Sequence, residues 1–499
     1  MDLWAGLAIG FGAALTPENL LACFAGALIG TLVGVLPGLG PIATMAMLLP
    51  LTSTLSPLTG LIMLAGIYYG AQYGGSTTAI LVNLPGESSS IVTCLDGHPM
   101  ARQGRAGPAL AVAALGSLFA GIVVTLITGL AAPSLAEAAL RFGPADTFSL
   151  MVLGLIFATV LASGSFAKAL AMVGLGLVLG LVGTDIESGA QRLTFGSLQF
   201  IEGVPFICLA VGLFGVAEIA LNLEQQEKGG ELISRPNGLW LTAEDAAASV
   251  GPVLRGTAIG AVLGLLPGGG AMLASFASYV AEKRLARDPS RFGHGAIEGV
   301  AGPESANNAG AQASFIPLLT LGIPANAVMA VMVGAMMAKG ITPGPRIIEM
   351  QPVLFWGLIA SMLIGNVMLV IINLPLIGLW VRLLAVPYRL LFPTILILCS
   401  IGVYSVDSSP FQVVLTMIIG IAGYLLRKLG FEPAPILLGF ILGPLLEENL
   451  RRALVLSRGD LGVFLTEPLS AVFLACAVIT AAAILLPGVR RTRSKLDEA

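Results

Sequence analysis

The sequence predicts an all-α polytopic membrane protein of about 10–12 membrane segments, arranged as two inverted repeats with broken or re-entrant helices. Three observations lead there. Of 499 residues, 56% are apolar and only 11% charged, too few to cover a soluble globule of this length. Apolar stretches near the ~20 residues that span a bilayer recur along the chain. One of them, GTLVGVLPGLGPIATM at 30–45, is interrupted by proline and glycine, and GAVLGLLPGGGAMLAS at 260–275 repeats the interruption in register.

Taken in order, the opening MDLWAGLAIGFGAALTPENL lacks the basic start of a secretory leader and is expected to remain as a short interfacial or spanning segment. Beyond the first interruption, apolar stretches lie at 110–130, 148–161, 167–182 and 204–221. The composition then changes. NLEQQEKGGELISRPNGLWLTAEDAAASV at 222–250 carries Glu224, Glu227, Lys228, Glu231, Arg235, Glu244 and Asp245, which reads as an aqueous linker. It divides the chain into a first membrane repeat at 1–221 and a second at 251–450, with stretches at 353–374, 390–403 and 413–426. The remaining 451–499 reads as a spanning segment at 471–486 and a cytoplasmic tail bearing Arg490, Arg491, Arg493 and Lys495.

The halves match beyond the interruption. GAQYGGSTTAILVNLPGESS at 70–89 has a counterpart in GAQASFIPLLTLGIPANA at 310–327, and ASGSFAKAL at 162–170 in VDSSPFQVV at 406–414. Repeats of this kind suit secondary transporters. Residues 51–59, after the first interruption, contain no Lys or Arg, whereas the matching region holds Lys283, Arg284, Arg287 and Arg291. The positive-inside tendency therefore places the equivalents on opposite faces, favouring inversion. The next pair of loops, Arg102 and Arg105 against Lys339 and Arg346, is less decisive. The 63 glycines read mainly as helix-packing devices. Cys23, Cys94, Cys208, Cys399 and Cys476 have no metal-ligand spacing and read as buried thiols, while Asp185, Glu187 and Glu202 read as solvated.

Proline removes a backbone donor and glycine tolerates turns, so Pro37, Gly38 and Gly40, with Pro267, Gly268 and Gly270, are expected to end one half-helix and begin another. The alternative is a proline kink repaired by neighbours. Free N–H groups at such a break suit an anion, and C-terminal carbonyls suit a cation. The second breaks add candidate substrate contacts: Ser76, Thr77, Thr78, Asn83, Pro85, Gly86 and Ser88 in one half, and Ser305, Asn307, Asn308, Pro324 and Asn326 in the other. Interhelical hydrogen bonding is the competing use of these polar groups. Glu87 and Glu304 are each either a proton or cation site at membrane depth or a carboxylate in a wet loop.

The stretches at 68–107 and 299–331, with both Pro-Gly motifs, resemble the large membrane subunit of the bacterial tripartite tricarboxylate transporters. The resemblance covers nearly the whole chain. It departs at His98, where the family has an aromatic tyrosine, and at Ala325, where a glycine usually follows the proline. It implies a multi-pass importer of the inner membrane, driven by sodium or protons, for citrate or other di- or tricarboxylates, aromatic carboxylates included. It also implies two partners, a small membrane subunit and a periplasmic solute-binding protein. No cofactor or nucleic acid is expected. The rival class is an intramembrane enzyme acting on a lipid or peptide, but His98 and His294 belong to no zinc-protease motif and no group is placed by sequence to activate Ser88 or Ser89. The glycine clusters lack the lysine of a phosphate-binding loop, which disfavours an ATP-driven pump on this chain.

Overall fold

The computed structural model describes residues 3–36, 40–161, 165–185, 187–225, 238–266, 270–383 and 388–485. Pro37, Gly38, Pro267 and Gly268, the middle of the linker and the basic tail lie outside the described residues. The first half contains α1 (Leu3–Ala14), α2 (Pro17–Val35), α3 (Pro41–Ser53), α4 (Pro57–Val82), α5 (Ile91–Met100), α6 (Ala106–Ala139), α7 (Pro144–Leu161) and α8 (Phe166–Gly180). A small hairpin of β1 (Gly183–Thr184) and β2 (Gln191–Arg192) follows, then α9 (Phe206–Ala210), a π turn (Val211–Val216) and α10 (Ala217–Gln225). The second half contains α11 (Ala243–Leu263), α12 (Gly270–Leu285), α13 (Glu298–Ala313), α14 (Phe315–Leu321), α15 (Ala327–Ala338), α16 (Ile347–Met350), α17 (Pro352–Asn373) and α18 (Ile377–Leu383). After these come α19 (Tyr388–Asp407), α20 (Pro410–Lys428), α21 (Ala434–Leu456), α22 (Val463–Thr466) and α23 (Pro468–Leu485).

Every apolar stretch of the sequence falls on these helices, as a polytopic all-α fold requires. Among the described residues six spans are long and apolar enough to cross a membrane: Pro17–Val35, Ser88–Ala139, Phe206–Glu224, Ala243–Leu263, Pro352–Asn373 and Pro410–Lys428. Shorter apolar helices, α3 and α15 among them, stop after 13 and 12 residues. The linker is narrower than its composition suggests. Thr242 caps α11, accepting from the Asp245 N–H at 3.0 Å, so Glu244 and Asp245 are first-turn helix residues rather than loop. Likewise α21 runs through residues 450 and 451, because Glu447 with Arg451 (2.6 Å) and Glu448 with Arg452 are helical ion pairs one turn apart.

The glycines explain the closest helix pairs. A Cβ added at Gly26, Gly30 or Gly34 of α2 would lie 2.3–2.4 Å from the carbonyl oxygens of Met63, Ile67 and Ala71 on α4. Gly256 and Gly260 of α11, with its C-cap Gly264, meet Gly302, Ala306 and Gly310 of α13 in the same way, at 2.2–2.5 Å. Only a bare α-carbon lets the backbones come this near. Gly30→Val is therefore expected to push α2 and α4 apart, at about 2 kcal/mol or more. Thermal unfolding of the purified protein checks this; wild-type stability would contradict it.

Corresponding helices make corresponding contacts across the halves. α17 lies on α2 and α4, as α6 lies on α11 and α13; α8 packs on α21, as α20 packs on the π turn and α10. Helices from beyond the polar stretch thus cover α2 and α4, and α6 from before it covers α11 and α13. One apolar core, with Ile67 and Tyr69 beside Phe315, Phe355 and Trp356, runs through both, so the halves are not separable globules.

One expectation is corrected outside the helices. Asp185 is not solvated: it is only 7% exposed and accepts from Arg451 at 2.9 Å, with Arg192 3.6 Å away. The Arg451 hydrogen bond holds its carboxyl well below the usual carboxylate range. Glu187, also on Arg451 at 3.1 Å, remains half exposed. Of the cysteines, Cys23, Cys208 and Cys399 are buried, Cys94 is partly buried and Cys476 is exposed.

Candidate functional site

Four helix starts meet at one cavity of about 500 Å³. Gly40 is the N-cap of α3, in extended conformation before Pro41, which suits the first helical turn because its missing N–H has no partner there anyway. Gly270 opens α12. Glu87 and Ser88 begin the 3-10 turn that leads into α5, and Asn326 caps α15, its Oδ1 accepting from the Met329 N–H at 2.9 Å. Helix starts present backbone N–H groups and a partial positive charge; Asn326 already takes the Met329 N–H, and the Glu87 side chain that of Ser90. Gly40 and Gly270, each flanking an interruption, thus share one cavity with the turn at Pro85–Ser88 and with Asn326.

The turn before α5 is fixed by contact with two helices. A Cβ at Gly86 would sit 2.2 Å from the Gly34 carbonyl oxygen and 2.5 Å from the Gly75 α-carbon, so the Pro85–Gly86 turn wedges between α2 and α4. The Glu87 carboxylate accepts from the Ser89 hydroxyl and, at 3.3 Å, from Asn307 Nδ2 on α13. Ser89 also approaches Gln72 Oε1 at 3.2 Å, and Asn326 Nδ2 donates to the Tyr68 hydroxyl at 3.3 Å. Tyr68 and Gln72 of α4 complete this wall. Glu218, Arg427 and Glu432 lie on another part of the lining, with Arg427 paired to Glu218 at 2.7 Å.

Of the residues singled out in the sequence, Gly40, Pro85, Gly86, Glu87, Ser88, Gly270 and Asn326 line the cavity. The others stand behind it or apart from it. Glu304 is fully buried on α13, and its carboxylate accepts from Ser76 Oγ at 2.5 Å and from the Thr93 hydroxyl. Asn308 Nδ2 donates to Ser117 Oγ at 2.7 Å. Thr77 and Ser305 turn their hydroxyls to the carbonyls of Tyr73 and Ala301 one turn back, while Thr78 binds the Val35 carbonyl at 3.0 Å, tying α4 to α2. Pro324 is buried in the turn before α15. Asn83 is exposed, ending α4 in the left-handed conformation at φ 59°, as Gly322 at φ 72° ends α14.

Sequence reasoning passed over Tyr68, Gln72, Glu218 and Arg427, and also Asp96. The repeated GAQ motif contained the signal for Gln72. Asp96 of α5 is fully buried, and its Oδ1 accepts three backbone N–H groups, from Gly293 (2.9 Å), Gly295 (2.8 Å) and Ala296 (2.9 Å). Its Oδ2 accepts from the Tyr279 hydroxyl at 2.9 Å. Positive φ at Gly293 (87°) and Gly295 (100°) turns those amides inward. The α12–α13 connection of the second half is thereby pinned to the helix behind Glu87 in the first. Among the described residues no cluster of three His, Cys, Asp or Glu could hold a metal ion.

The model of the tripartite tricarboxylate transporter TctA family matches residues 20–438. The chain belongs to this family. The resemblance drawn from the stretches at 68–107 and 299–331 and both Pro-Gly motifs is thus borne out, and the helix-lined cavity belongs to a member of a transporter family. Over 496 residues, 99% of each chain, it is 61% identical to an Agrobacterium vitis protein described as an uncharacterized 52.8 kDa protein in the TAR-I ttuC' 3' region. A second protein of that organism, from the TAR-II ttuC' 3' region, is 62% identical over 237 residues, 48% of this chain and 98% of its own. No solved structure matches this family member significantly.

Proposed function

We propose that the chain is the large membrane subunit of a secondary importer of the bacterial inner membrane, taking up di- or tricarboxylates with sodium or protons. The observation that carries this is the meeting of four helix starts, two from each half, at one cavity. A carboxylate docks on their N–H groups without a lysine or arginine in that wall, as anions do at broken helices of other transporters. Gly40, Gly86, Ser88, Gly270 and Asn326 touch the substrate. Ser76, Thr77, Thr78, Ser305 and Asn308 shape the layer behind, while Asn83, Pro85 and Pro324 set the turns. Pro37, Gly38, Pro267 and Gly268, which lie outside the described residues, are proposed as further substrate contacts from the two sequence motifs alone.

Glu87 and Glu304 serve cation coupling. Glu304 lies at full burial with hydroxyl partners, and the carbonyl oxygens Asn307 Oδ1 and Asn308 Oδ1 on the same helix are buried without a hydrogen-bond partner among the described residues. The carboxylate is the group that can receive a proton, and carboxylate and amide carbonyl oxygens together are ligands that suit sodium. The contrasting loop charges support inverted repeats, which supply the two alternating accesses. A periplasmic binding protein delivers the substrate and a small membrane subunit completes the complex. No cofactor or chemical conversion is involved.

The test is uptake in proteoliposomes holding all three components, with labelled citrate and other carboxylates under imposed sodium or proton gradients. Gradient-dependent accumulation of unmodified acid is expected. Conversion of the acid to a product without a gradient would favour an enzyme instead.

A further inference from the structure

We infer that Arg427 selects substrates carrying a second carboxylate; this rests on the cavity being the substrate site. Among the described residues that line the cavity, Arg427 is the one cation. It projects from the last turn of α20, whereas the helix starts belong to α3, α5, α12 and α15. The two means of holding an anion are therefore carried by different elements around one space. About 500 Å³ is several times what one carboxylate needs, so an acid docked on the helix starts leaves room for the rest of its own length.

The charges explain why an arginine is needed. Helix starts offer about half a charge each, and Glu87, Glu218 and Glu432 also line the cavity. A monoacid can be held by N–H groups alone. A second carboxylate brought among these acids requires a full positive charge. Glu218 of α10 holds Arg427 at 2.7 Å, orienting the guanidinium along the lining. The guanidinium carries five N–H donors in a planar fork, enough to serve Glu218 and a substrate carboxylate together. Arg427 is thus the specificity residue, and Glu218 a positioning residue that also competes for it.

Affinities of the purified full-length chain for succinate, citrate and the chain-length-matched monoacid butyrate test this by calorimetry. Arg427→Gln is expected to lower the ratio of succinate to butyrate affinity by about 10- to 100-fold, the worth of a charge-assisted hydrogen bond. Arg427→Lys should fall between, because a point charge replaces the fork. Glu218→Gln, which releases the guanidinium, should raise the ratio. A ratio equal to wild type in folded Arg427→Gln overturns the proposal; if that variant does not fold, wild-type ratios in both Arg427→Lys and Glu218→Gln do so. Failure of wild type to bind any of the three acids overturns the substrate-site reading itself, a distinct outcome.

Discussion

Glu304→Gln is expected to abolish uphill accumulation of substrate, leaving at most equilibration across the membrane. Glu304 has no exposed surface, and its hydrogen-bond partners, Ser76 and Thr93, are hydroxyls. Among the described residues no Lys or Arg pairs with it. A carboxylate buried in this way is costly as a bare charge and is relieved by taking up a cation. Glutamine keeps the size and a hydrogen-bonding oxygen but cannot exchange a proton and lacks the negative charge that balances a bound sodium. The folded protein should therefore survive while coupling is lost. Proteoliposomes loaded with labelled carboxylate separate the two: unchanged uphill uptake in Glu304→Gln would remove this residue from the coupling role.

Asp96→Ala is expected to be among the most destabilising single changes in the molecule, by about 4–6 kcal/mol, because three backbone N–H groups and the Tyr279 hydroxyl lose one shared acceptor. The α12–α13 connection would then come loose from α5, and with it the relative placement of the α12 start and the Glu87 turn. Asp96→Asn retains an oxygen for the amides and should cost about 1–2 kcal/mol. Melting of the detergent-purified protein should rank wild type above Asp96→Asn above Asp96→Ala. Equal melting of all three would show that these bonds do not hold the halves together.

The fold was legible wherever the membrane constrains composition. Apolar runs became helices, and the doubled proline-glycine interruption marked two of the four helix starts at the cavity. Charge stood for loop at Glu244 and Asp245, which belong to a capped helix start, and α21 runs on through Glu447 to Arg452 with ion pairs along it. Within the site, the turn residues Gly40, Gly86, Glu87 and Asn326 were readable because a broken helix needs particular residue types. The hydroxyls of Thr77, Thr78 and Ser305 were not, because a polar group in an apolar helix looks the same in sequence whether it faces a cavity or bonds a backbone carbonyl. Arg427 was hidden because a basic residue at the end of an apolar helix is also what the membrane interface favours. Asp96 was hidden for another reason: its main partners are backbone amides far along the chain, and these leave no side-chain pattern.

Alkylation of a cysteine placed at Ser88, in a chain whose five native cysteines have been replaced, tests the cavity most directly. Ser88 is exposed, lines the cavity and begins one of the four helix starts. With the complete transporter in membranes, a transported carboxylate at saturating concentration should slow labelling of Ser88→Cys, while labelling at the exposed Gln199 in the connection between β2 and α9, also changed to cysteine, stays at its own rate. Equal labelling of Ser88→Cys with and without the transported acid would contradict the assignment of this cavity as the carboxylate site.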